Sequence, residues 1–375
     1  MRERQFQRVW PTGFHAQKGS LELPTAAFTH RVIPRYDWDP RGEKSMIHPV
    51  KKKFTAWLAA AVMALISHGV LAEAEPVKVG VLKFGTVNWE LKSMKHAEYD
   101  LRNGVDVEIV PYAGGDATRI ALQGGEVDVI VADWLWVSRQ RSDGQKLTFV
   151  PYSSSVGAIM VGADSGIDSL EGLKGKKIGV AGGPLDKSWL LLQGMAKQEH
   201  DFDLKGENEV VFGAPPLLAE KTRQGELDAM LNFWHYSARL EADGFRRLVS
   251  AEDAAAKLGS KGPVSAIGYV FADEWAADNP DLAKGFIKAS RDTKALLNDS
   301  DDEWARLGSS GAIKDKDKAL ITLRDRFREG IPNRPIADEI EDAGTIYKVL
   351  AELGGARLVG SSPVMAEGTY WPELE

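Results

Sequence analysis

The residues of this chain that could do chemistry are few and of restricted type. The sequence has no cysteine, which excludes disulfides, thiolate nucleophiles and cysteine-based metal sites. Three histidines, His96, His200 and His235, follow residue 75, and their spacing matches no zinc motif. No Ser/His/Asp arrangement or pair of catalytic carboxylates is recognisable either. These residues favour binding over catalysis, and we expect no cofactor and no metal.

A glycine turn within KKIGVAGGPLDKSWLLL (176–192) is a candidate binding loop. Ile178–Val180 predicts a short strand, Trp189–Leu192 predicts the body of a helix, and Pro184 suits the first turn of that helix. A helix N-terminus directs free N–H groups and a positive dipole end at one point, which favours an anionic group. The turn matches neither GxxxxGK[ST] nor GxGxxG, so a purely structural role stays open.

A second pattern is a repeat with an offset of 100 residues. Gly125-Glu126-Val127-Asp128 with Trp134 is matched by Gly225-Glu226-Leu227-Asp228 with Trp234. In each copy a helix ends at glycine, an acidic corner opens a strand, and a tryptophan follows that strand. Two copies at a domain-sized offset predict two similar lobes rather than a solenoid. We expect the two tryptophans to face each other and clamp an organic ligand, with core packing as the alternative.

The elements that must position these residues alternate between strand and helix, which is typical of βαβ units. Strands are predicted at 77–82, 105–110, 127–131, 156–161, 178–180 and 209–212. One helix is predicted at 88–101, a second runs from an N-cap at Asp116 to residue 123, and a third ends at residue 223. Four more helices are predicted at 280–297, 301–307, 316–329 and 335–353. The fold class is α/β: two similar Rossmann-like lobes joined by a two-crossover hinge, with a helical C-terminal part. Residues 75–152 and 266–375 would form one lobe and 153–265 the other.

The N-terminal residues are predicted to lie outside the mature protein. Three lysines (51–53) precede an apolar run, 54–71, and small residues follow, a pattern typical of a secretory signal peptide at 46–74. An uncleaved membrane anchor is the alternative. Residues 1–45 show no hydrophobic period, and we interpret them as a non-native extension upstream of a start at Met46. Cleavage after Ala72 or Ala74 would release a soluble periplasmic protein without a lipid-anchor cysteine.

The net charge of the chain restricts the kind of molecule that it can bind. The residues after 72 carry 36 basic and 49 acidic side chains, a net charge of −13. Such an acidic chain is a poor partner for nucleic acid or an anionic membrane. We therefore expect a monomer whose partner is a small molecule, with no nucleic acid.

Three stretches resemble periplasmic solute-binding proteins of ABC importers. They are SLEGLKGKKIGVAGG (169–183), the paired GEVD and GELD corners, and FADEWAADNPDLAKGFIKA (271–289). The resemblance is to the group that serves nitrate, taurine, aliphatic sulfonates and thiamine-pyrimidine precursors, and it covers roughly 77–297. It implies a type II periplasmic binding fold that closes on a solute and delivers it to an inner-membrane permease with its ATPase. It implies no enzyme activity and does not specify the ligand.

The resemblance also implies binding loops at the strand ends. The predicted ligand-binding residues on these loops are Thr86, Asn88, Trp89, Gly115, Asp116, Asp133, Trp134, Ser153, Ser154, Gly183, Asp186, Lys187, Ser188, Trp234 and His235. The serines and the Gly183 turn would hold an anion through hydroxyls and backbone amides. The abundance of tryptophan departs from a nitrate binder, so we expect an anionic or zwitterionic organic solute.

Several of these residues have a structural alternative. Trp89 and Trp189 could belong to the core, Lys187 to a solvated helix face, and His235 to a satisfied structural contact. Two alternatives for the function also stay open. One is a thiamine-pyrimidine-synthase-like enzyme of the same fold, and the other is a periplasmic accessory or sensor protein without a transporter.

Overall fold

The computed structural model of the protein describes residues Pro76–Leu374. The predicted upstream extension, signal peptide and cleavage sites lie outside the described residues. Between residues 76 and 374, none of the helices combines the length and the apolar character that crossing a bilayer requires.

The described residues form ten strands and fourteen α-helices. The strands are β1 (Val77–Leu82), β2 (Val107–Tyr112), β3 (Val129–Ala132), β4 (Leu147–Ser153), β5 (Ala158–Val161), β6 (Lys177–Val180), β7 (Glu209–Phe212), β8 (Ala229–Leu231), β9 (Arg246–Ser250) and β10 (Ile267–Ala272). The helices are α1 (Val87–His96), α2 (Tyr99–Arg102), α3 (Gly115–Gln123), α4 (Trp134–Ser142), α5 (Lys187–His200), α6 (Pro215–Arg223), α7 (Trp234–Ala242), α8 (Ala251–Lys257), α9 (Asp273–Asp278), α10 (Pro280–Asp299), α11 (Asp301–Ser309), α12 (Asp317–Glu329), α13 (Ile336–Gly354) and α14 (Ala356–Val359).

The strands form two five-stranded sheets with the same connectivity. Sheet order is β2-β1-β3-β10-β4 in lobe 1 and β7-β6-β8-β5-β9 in lobe 2. In lobe 1 the strands β1, β2 and β3 are parallel, and β10, which enters from the other lobe, lies antiparallel beside β3. In lobe 2 the strands β6, β7 and β8 are parallel, and β5, which enters from lobe 1, lies antiparallel beside β8. The predicted fold class, two similar α/β lobes with a helical C-terminal part, is confirmed.

The apolar residues of β6 and α5 belong to the hydrophobic core. Ile178 and Val180 of β6 and Trp189 and Leu192 of α5 are all buried in one cluster. Burial of each such side chain contributes roughly 1.5–3 kcal/mol. Trp189 is fully buried, so its structural alternative holds.

The repeated acidic corners have the same geometry in both lobes. The second residue after α3 and after α6, Gly125 and Gly225, has a positive φ (70° and 73°), a conformation that glycine adopts without strain at a helix end. The Asp128 carboxylate accepts the backbone N–H of Lys78 at 2.8 Å, and Asp228 accepts that of Lys177 at 2.8 Å. Each aspartate therefore ties the strand that it precedes to the first strand of its lobe.

Most of the predicted helices keep their bounds, and one does not. The C-terminal helices α10 to α13 match the predicted ranges to within two residues. The helix predicted at 88–101 is in fact two helices, because Glu98 adopts a left-handed φ of 54° between α1 and α2.

Two segments cross between the sheets, one from β4 to β5 and one from α8 to β10. The C-terminal helices add further bridges. Glu303 of α11 accepts the hydroxyl of Ser93 in lobe 1, whereas Arg326 of α12 donates to Glu241 of lobe 2 at 2.9 Å. The Tyr347 ring of α13 then packs on lobe 1. The C-terminal chain thus contacts both lobes.

Candidate functional site

The two tryptophans of the repeat occupy equivalent positions. Trp134 and Trp234 are the first residues of α4 and α7, directly after β3 and β8, and they are only 4% and 8% exposed. The Trp134 ring packs on Tyr347 with 6.1 Å between centroids, and the Trp234 ring packs on Trp89 at 6.0 Å. Each indole thus packs on a ring of another helix, and the two make no ring contact with each other among the described aromatic pairs. The expectation that they clamp a ligand stays a prediction.

An aromatic cluster joins the lobes at the Trp234 side. It consists of Trp89 of α1, Trp304 of α11, Phe327 of α12 and Trp234 of α7. Its centroid distances include 5.9 Å between Trp89 and Trp304 and 5.2 Å between Trp304 and Phe327. All four rings are buried. Aromatic pairs of this kind contribute roughly 0.5–1.5 kcal/mol beyond their burial, so the cluster holds the lobes in contact.

An ion pair joins the lobes near the other tryptophan. Asp133 of lobe 1 lies 3.4 Å from the Lys187 ammonium of lobe 2 and 3.5 Å from the Arg119 guanidinium. The same carboxylate caps α4 by accepting the Trp136 N–H at 2.9 Å. Burial favours a higher pKa for Asp133, but Lys187, the Trp136 N–H and Arg119 outweigh it, so its pKa lies below the ordinary value. Asp133 is therefore both a helix cap and a negative charge between the lobes.

The serines of the first crossover are engaged by the end of α12. The Ser154 N–H donates to the Gly330 carbonyl at 2.9 Å, and the Ser155 hydroxyl donates to the Arg326 carbonyl at 3.1 Å. Ser153 Oγ accepts the Ser155 N–H at 3.2 Å. A Cβ at Gly330 would lie 1.8 Å from Ser155 Oγ, so only glycine permits this approach. These contacts hold the crossover in place, and they occupy some of the N–H and hydroxyl groups that an anion would otherwise bind.

Two small cavities lie between the lobes and share a wall made by Ser154, Val156 and Glu252. The larger, about 80 Å³, has a mainly apolar lining, and the smaller, about 40 Å³, has a mainly polar one. The predicted residues that line them are Trp134, Ser154, Lys187, Ser188 and Trp234. The structure thus gathers five of the predicted residues along one crevice, with Asp133 paired to one of them.

The polar cavity contains charged residues that sequence reasoning missed: Arg247, Glu252, Arg326 and Glu329. Arg247 lies in β9, 4.0 Å from its nearest carboxylate, Glu241. Burial and the charge of Arg326 lower the pKa of Arg247. Burial and Asp253 raise the pKa of Glu252. The available signal was the RRLVS stretch (246–250) followed by a Ser250–Asp253 capping box, which marks a strand that leads into a helix.

The glycine turn differs from its prediction. Gly182 and Gly183 both have φ of 84°, and α5 begins only at Lys187, so Pro184 does not lie in its first turn. The reason is that Asp186 caps the helix, accepting the Trp189 N–H at 3.0 Å. Burial raises the pKa of this carboxyl, although the N–H group favours its charged form. The helix N-terminus therefore already holds a carboxylate of its own chain.

Four other predicted residues lie on the first two loops of lobe 1, away from both cavities. The Asn88 amide donates to two carbonyls of the β1–α1 loop at 2.7 and 2.8 Å, and Thr86 precedes α1 without a side-chain cap. Gly115 begins α3 and Asp116 follows it, 95% exposed at its side chain. The predicted capping role of Asp116 is wrong because extended Gly114 takes the N-cap position.

His235 packs on neighbouring rings but is not the satisfied histidine of its structural alternative, because its buried Nδ1 has no hydrogen-bond partner among the described residues. Its ring packs 4.6 Å from the Tyr236 ring and 5.7 Å from the Trp234 ring, and it lines neither interlobe cavity. Burial, followed by the charge of Arg239, lowers its pKa to about 3, while Asp315 opposes the shift. The imidazole is therefore neutral at physiological pH. Across residues 76–374 no group of three metal-ligating side chains converges.

A family model described as NMT1/THI5 like matches residues 96–302, more than half of the chain. The chain belongs to the NMT1/THI5-like family. A search of curated proteins finds no match.

Solved structures show what this NMT1/THI5-like chain resembles in fold. The periplasmic aliphatic sulphonate binding protein SsuA from Escherichia coli is 19% identical, with a TM-score of 0.61 over 79% of this chain and 97% of that chain. The alkanesulfonate-binding protein SsuA from Xanthomonas axonopodis pv. citri, bound to MOPS, is 17% identical, with a TM-score of 0.58 over 80% and 99%. An ABC transporter structure from Parabacteroides distasonis is 13% identical, with a TM-score of 0.59 over 80% and 99%. The NMT1/THI5-like chain therefore has the type II periplasmic binding fold, as predicted.

Proposed function

We propose that this protein is the periplasmic substrate-binding component of an ABC importer, which captures a small organic solute between its lobes. The observation that carries the proposal is the crevice between two similar α/β lobes, where strand-end residues of both lobes meet. Asp133 contacts Lys187 there, and Trp89 contacts Trp234. The carboxyl ends of strands in open α/β sheets are the usual ligand sites. Membership of the NMT1/THI5-like family and the fold likeness to sulfonate-binding proteins support the proposal.

The charged wall of the crevice favours an anionic or zwitterionic solute. The nearest carboxylate of Arg247 is that of Glu241 at 4.0 Å, and Arg247 lines the same cavity as Ser154 and Ser155, so its guanidinium would hold a sulfonate or carboxylate. Glu252 lies on the wall that the two cavities share and would accept an ammonium group. Trp134 and the apolar cavity would accommodate the organic part.

Solute entry requires the lobes to separate. Sites for organic ligands usually enclose roughly 300–1,000 Å³, well above the two cavities described here. Opening would break the Asp133–Lys187 pair and the contact of Trp89 with Trp234, and closure on the solute would replace them with solute contacts. The partner of the closed form would be an inner-membrane permease with its ATPase.

A titration of the mature protein with taurine, butanesulfonate and a hydroxymethylpyrimidine tests the proposal. Calorimetry gives the affinity, and small-angle scattering gives the radius of gyration with and without solute. We expect Arg247→Gln to weaken binding of the sulfonates at least tenfold, since a charged hydrogen bond contributes roughly 1.5–3 kcal/mol. Arg246→Gln is the matched control, because the Arg246 guanidinium binds Asp168 and carbonyls away from the crevice.

Three outcomes would contradict the proposal. Equal loss in both arginine variants would remove the crevice as the site. Conversion of the bound pyrimidine, detected by mass spectrometry, would favour the synthase-like enzyme. Solute binding without an adjacent permease gene would favour the accessory or sensor alternative.

A further inference from the structure

A larger cavity lies on lobe 1, beside the hinge rather than in the crevice between the strand ends. Its volume is about 490 Å³. The walls come from β4, α10, the segment before α13, the first turn of α13 and Leu374 near the C-terminus. Apolar lining residues are Val150, Pro151, Ile287, Pro332, Pro335, Ile336, Ala337 and Leu374. None of the residues that line the interlobe cavities lines this one.

A buried ammonium group lines the cavity. Lys294 is 7% exposed; it donates to the Ser290 hydroxyl at 2.8 Å and lies 3.1 Å from the Glu90 carboxylate. Its nitrogen also lies 4.2 Å from the centre of the Tyr152 ring. Burial lowers the pKa of Lys294, although Glu90 favours the charged form. The Glu90 carboxylate offsets the charge of this buried lysine, so the cations available to an occupant of the cavity are two arginines.

Two guanidinium groups line the same cavity. Arg291 donates to the Leu374 carbonyl at 3.0 Å, and within residues 76–374 no carboxylate lies within ion-pair distance of it. Arg334 donates to Asp342 at 2.7 Å and to the Pro263 carbonyl at 2.9 Å, which leaves other N–H groups of its five available.

One acidic side chain also lines the cavity. Glu339 accepts the Ser265 N–H at 3.1 Å, and burial raises its pKa although that N–H and Arg334 oppose the shift. The cavity therefore combines apolar walls with a surplus of cationic side chains.

We propose that this cavity is a second binding site, which takes a small organic anion with one carboxylate, sulfonate or phosphate group. Arg291 and Arg334 bind the anionic oxygens, and Ile287 and Ile336 contact the apolar part. The site adjoins both crossovers, because Pro151 precedes the first and Arg334 holds Pro263 of the second. An occupant therefore touches the hinge without entering the solute crevice.

Fluorine NMR with 4-fluorobenzoate as the probe tests this site, since the probe reports its own binding. We expect saturable binding to the full chain, at least tenfold weaker in Arg291→Gln. Ala337→Phe should weaken binding similarly by filling the mouth from an exposed position while keeping every charge. Lys284→Gln, which removes a surface charge of α10 paired with Glu373, should leave binding unchanged.

The crevice variant Arg247→Gln separates this inference from the proposed function. The probe could still bind Arg291→Gln and Ala337→Phe but fail to bind Arg247→Gln. That result would overturn the second site and would place the probe in the crevice of the proposed function. Absence of binding up to about 10 mM, where even a weak complex with a Kd of ~1 mM saturates, would also overturn it. Loss of sulfonate binding in Arg247→Gln with retained fluorobenzoate binding would support both sites independently.

Discussion

The two lobes begin their strand-end helices with the same residue and use it differently. In lobe 1, Asp133 caps α4 and pairs with Lys187 across the crevice, while Trp134 packs on Tyr347 of α13. In lobe 2, the residue before Trp234 makes no side-chain cap, and the indole joins an aromatic cluster with α1, α11 and α12. Near Trp134 the two lobes therefore contact each other through an ion pair, whereas near Trp234 they contact each other through aromatic packing.

This difference shows what the sequence repeat encodes. The repeated aspartates make the same backbone contact in both lobes, 2.8 Å to the first strand. The repeated tryptophans share only a position in the local fold, and their neighbours come from segments that have no counterpart in the repeat. Two residues at equivalent positions of the two lobes therefore need not have equivalent neighbours at the crevice.

The largest effect is expected from the tryptophans. Trp134→Ala and Trp234→Ala should each lower the free energy of unfolding by about 3–5 kcal/mol, because both remove a buried ring. Since the two indoles share no ring partner, the double variant should show additive losses. Urea denaturation measures these values, with Phe84→Ala as the control because Phe84 is 87% exposed.

Additivity identifies which tryptophans touch. Trp89→Ala combined with Trp234→Ala should be less than additive, since these rings lie 6.0 Å apart. Additive losses for that pair, together with coupling between Trp134 and Trp234, would contradict the ring contacts of the structure and indicate a direct contact between Trp134 and Trp234.

A second difference between the lobes is a histidine, whose protonation changes with pH. His235 follows Trp234, whereas Leu135 occupies the equivalent place in lobe 1. With a folded pKa of about 3 and an unfolded value near 6.5, only the unfolded state takes up a proton between these values. Stability should therefore fall as pH drops below about 6.5, by at most about 2 kcal/mol at pH 5.

The variant His235→Leu checks the source of this pH dependence. It copies the residue of lobe 1 and should flatten the change in urea midpoint between pH 6.5 and 5 relative to the wild type. His200→Gln, on the surface of α5 beside Glu171, serves as the comparison. An unchanged pH profile in His235→Leu would show that another group titrates.

The repeated aspartates should behave alike. Asp128→Ala and Asp228→Ala each leave a strand N–H without its carboxylate and should cost about 1 kcal/mol, equally in the two lobes. Asp→Asn at either position keeps an acceptor and should recover most of the loss. Thermal unfolding detects both effects. A loss confined to one lobe would contradict the equivalence of the corners.

The smallest effect is expected from the ion pair. A double-mutant cycle of Asp133→Asn and Lys187→Gln should give a coupling of about 0.2–1 kcal/mol, because Lys187 is partly exposed. The folded pKa of Asp133 is lowered, so this stabilisation is present above the unfolded pKa near 3.9 and is lost as pH falls through the folded value. Zero coupling and an unchanged radius of gyration would show that the pair does not hold the lobes together.

Part of the candidate site could be predicted from sequence. Trp134, Lys187 and Trp234 follow or begin elements with clear local signals, and all three line the crevice. Arg247 could not be found in this way, because β9 enters the site only by pairing antiparallel with β5, where Arg247 lies opposite Met160, 87 residues earlier in the chain. The signal peptide and the start at Met46 stay predictions.

The sequence by itself determined the two α/β lobes and the four long C-terminal helices. Hydrophobic period and glycine at helix ends act within about ten residues, so they are readable without the fold. Only the tertiary structure decided what each binding candidate contacts. The helices α12 and α13 return from the end of the chain to cover both lobes, placing Phe327 beside Trp234 and Tyr347 beside Trp134. Such contacts depend on long-range packing, which no local pattern specifies.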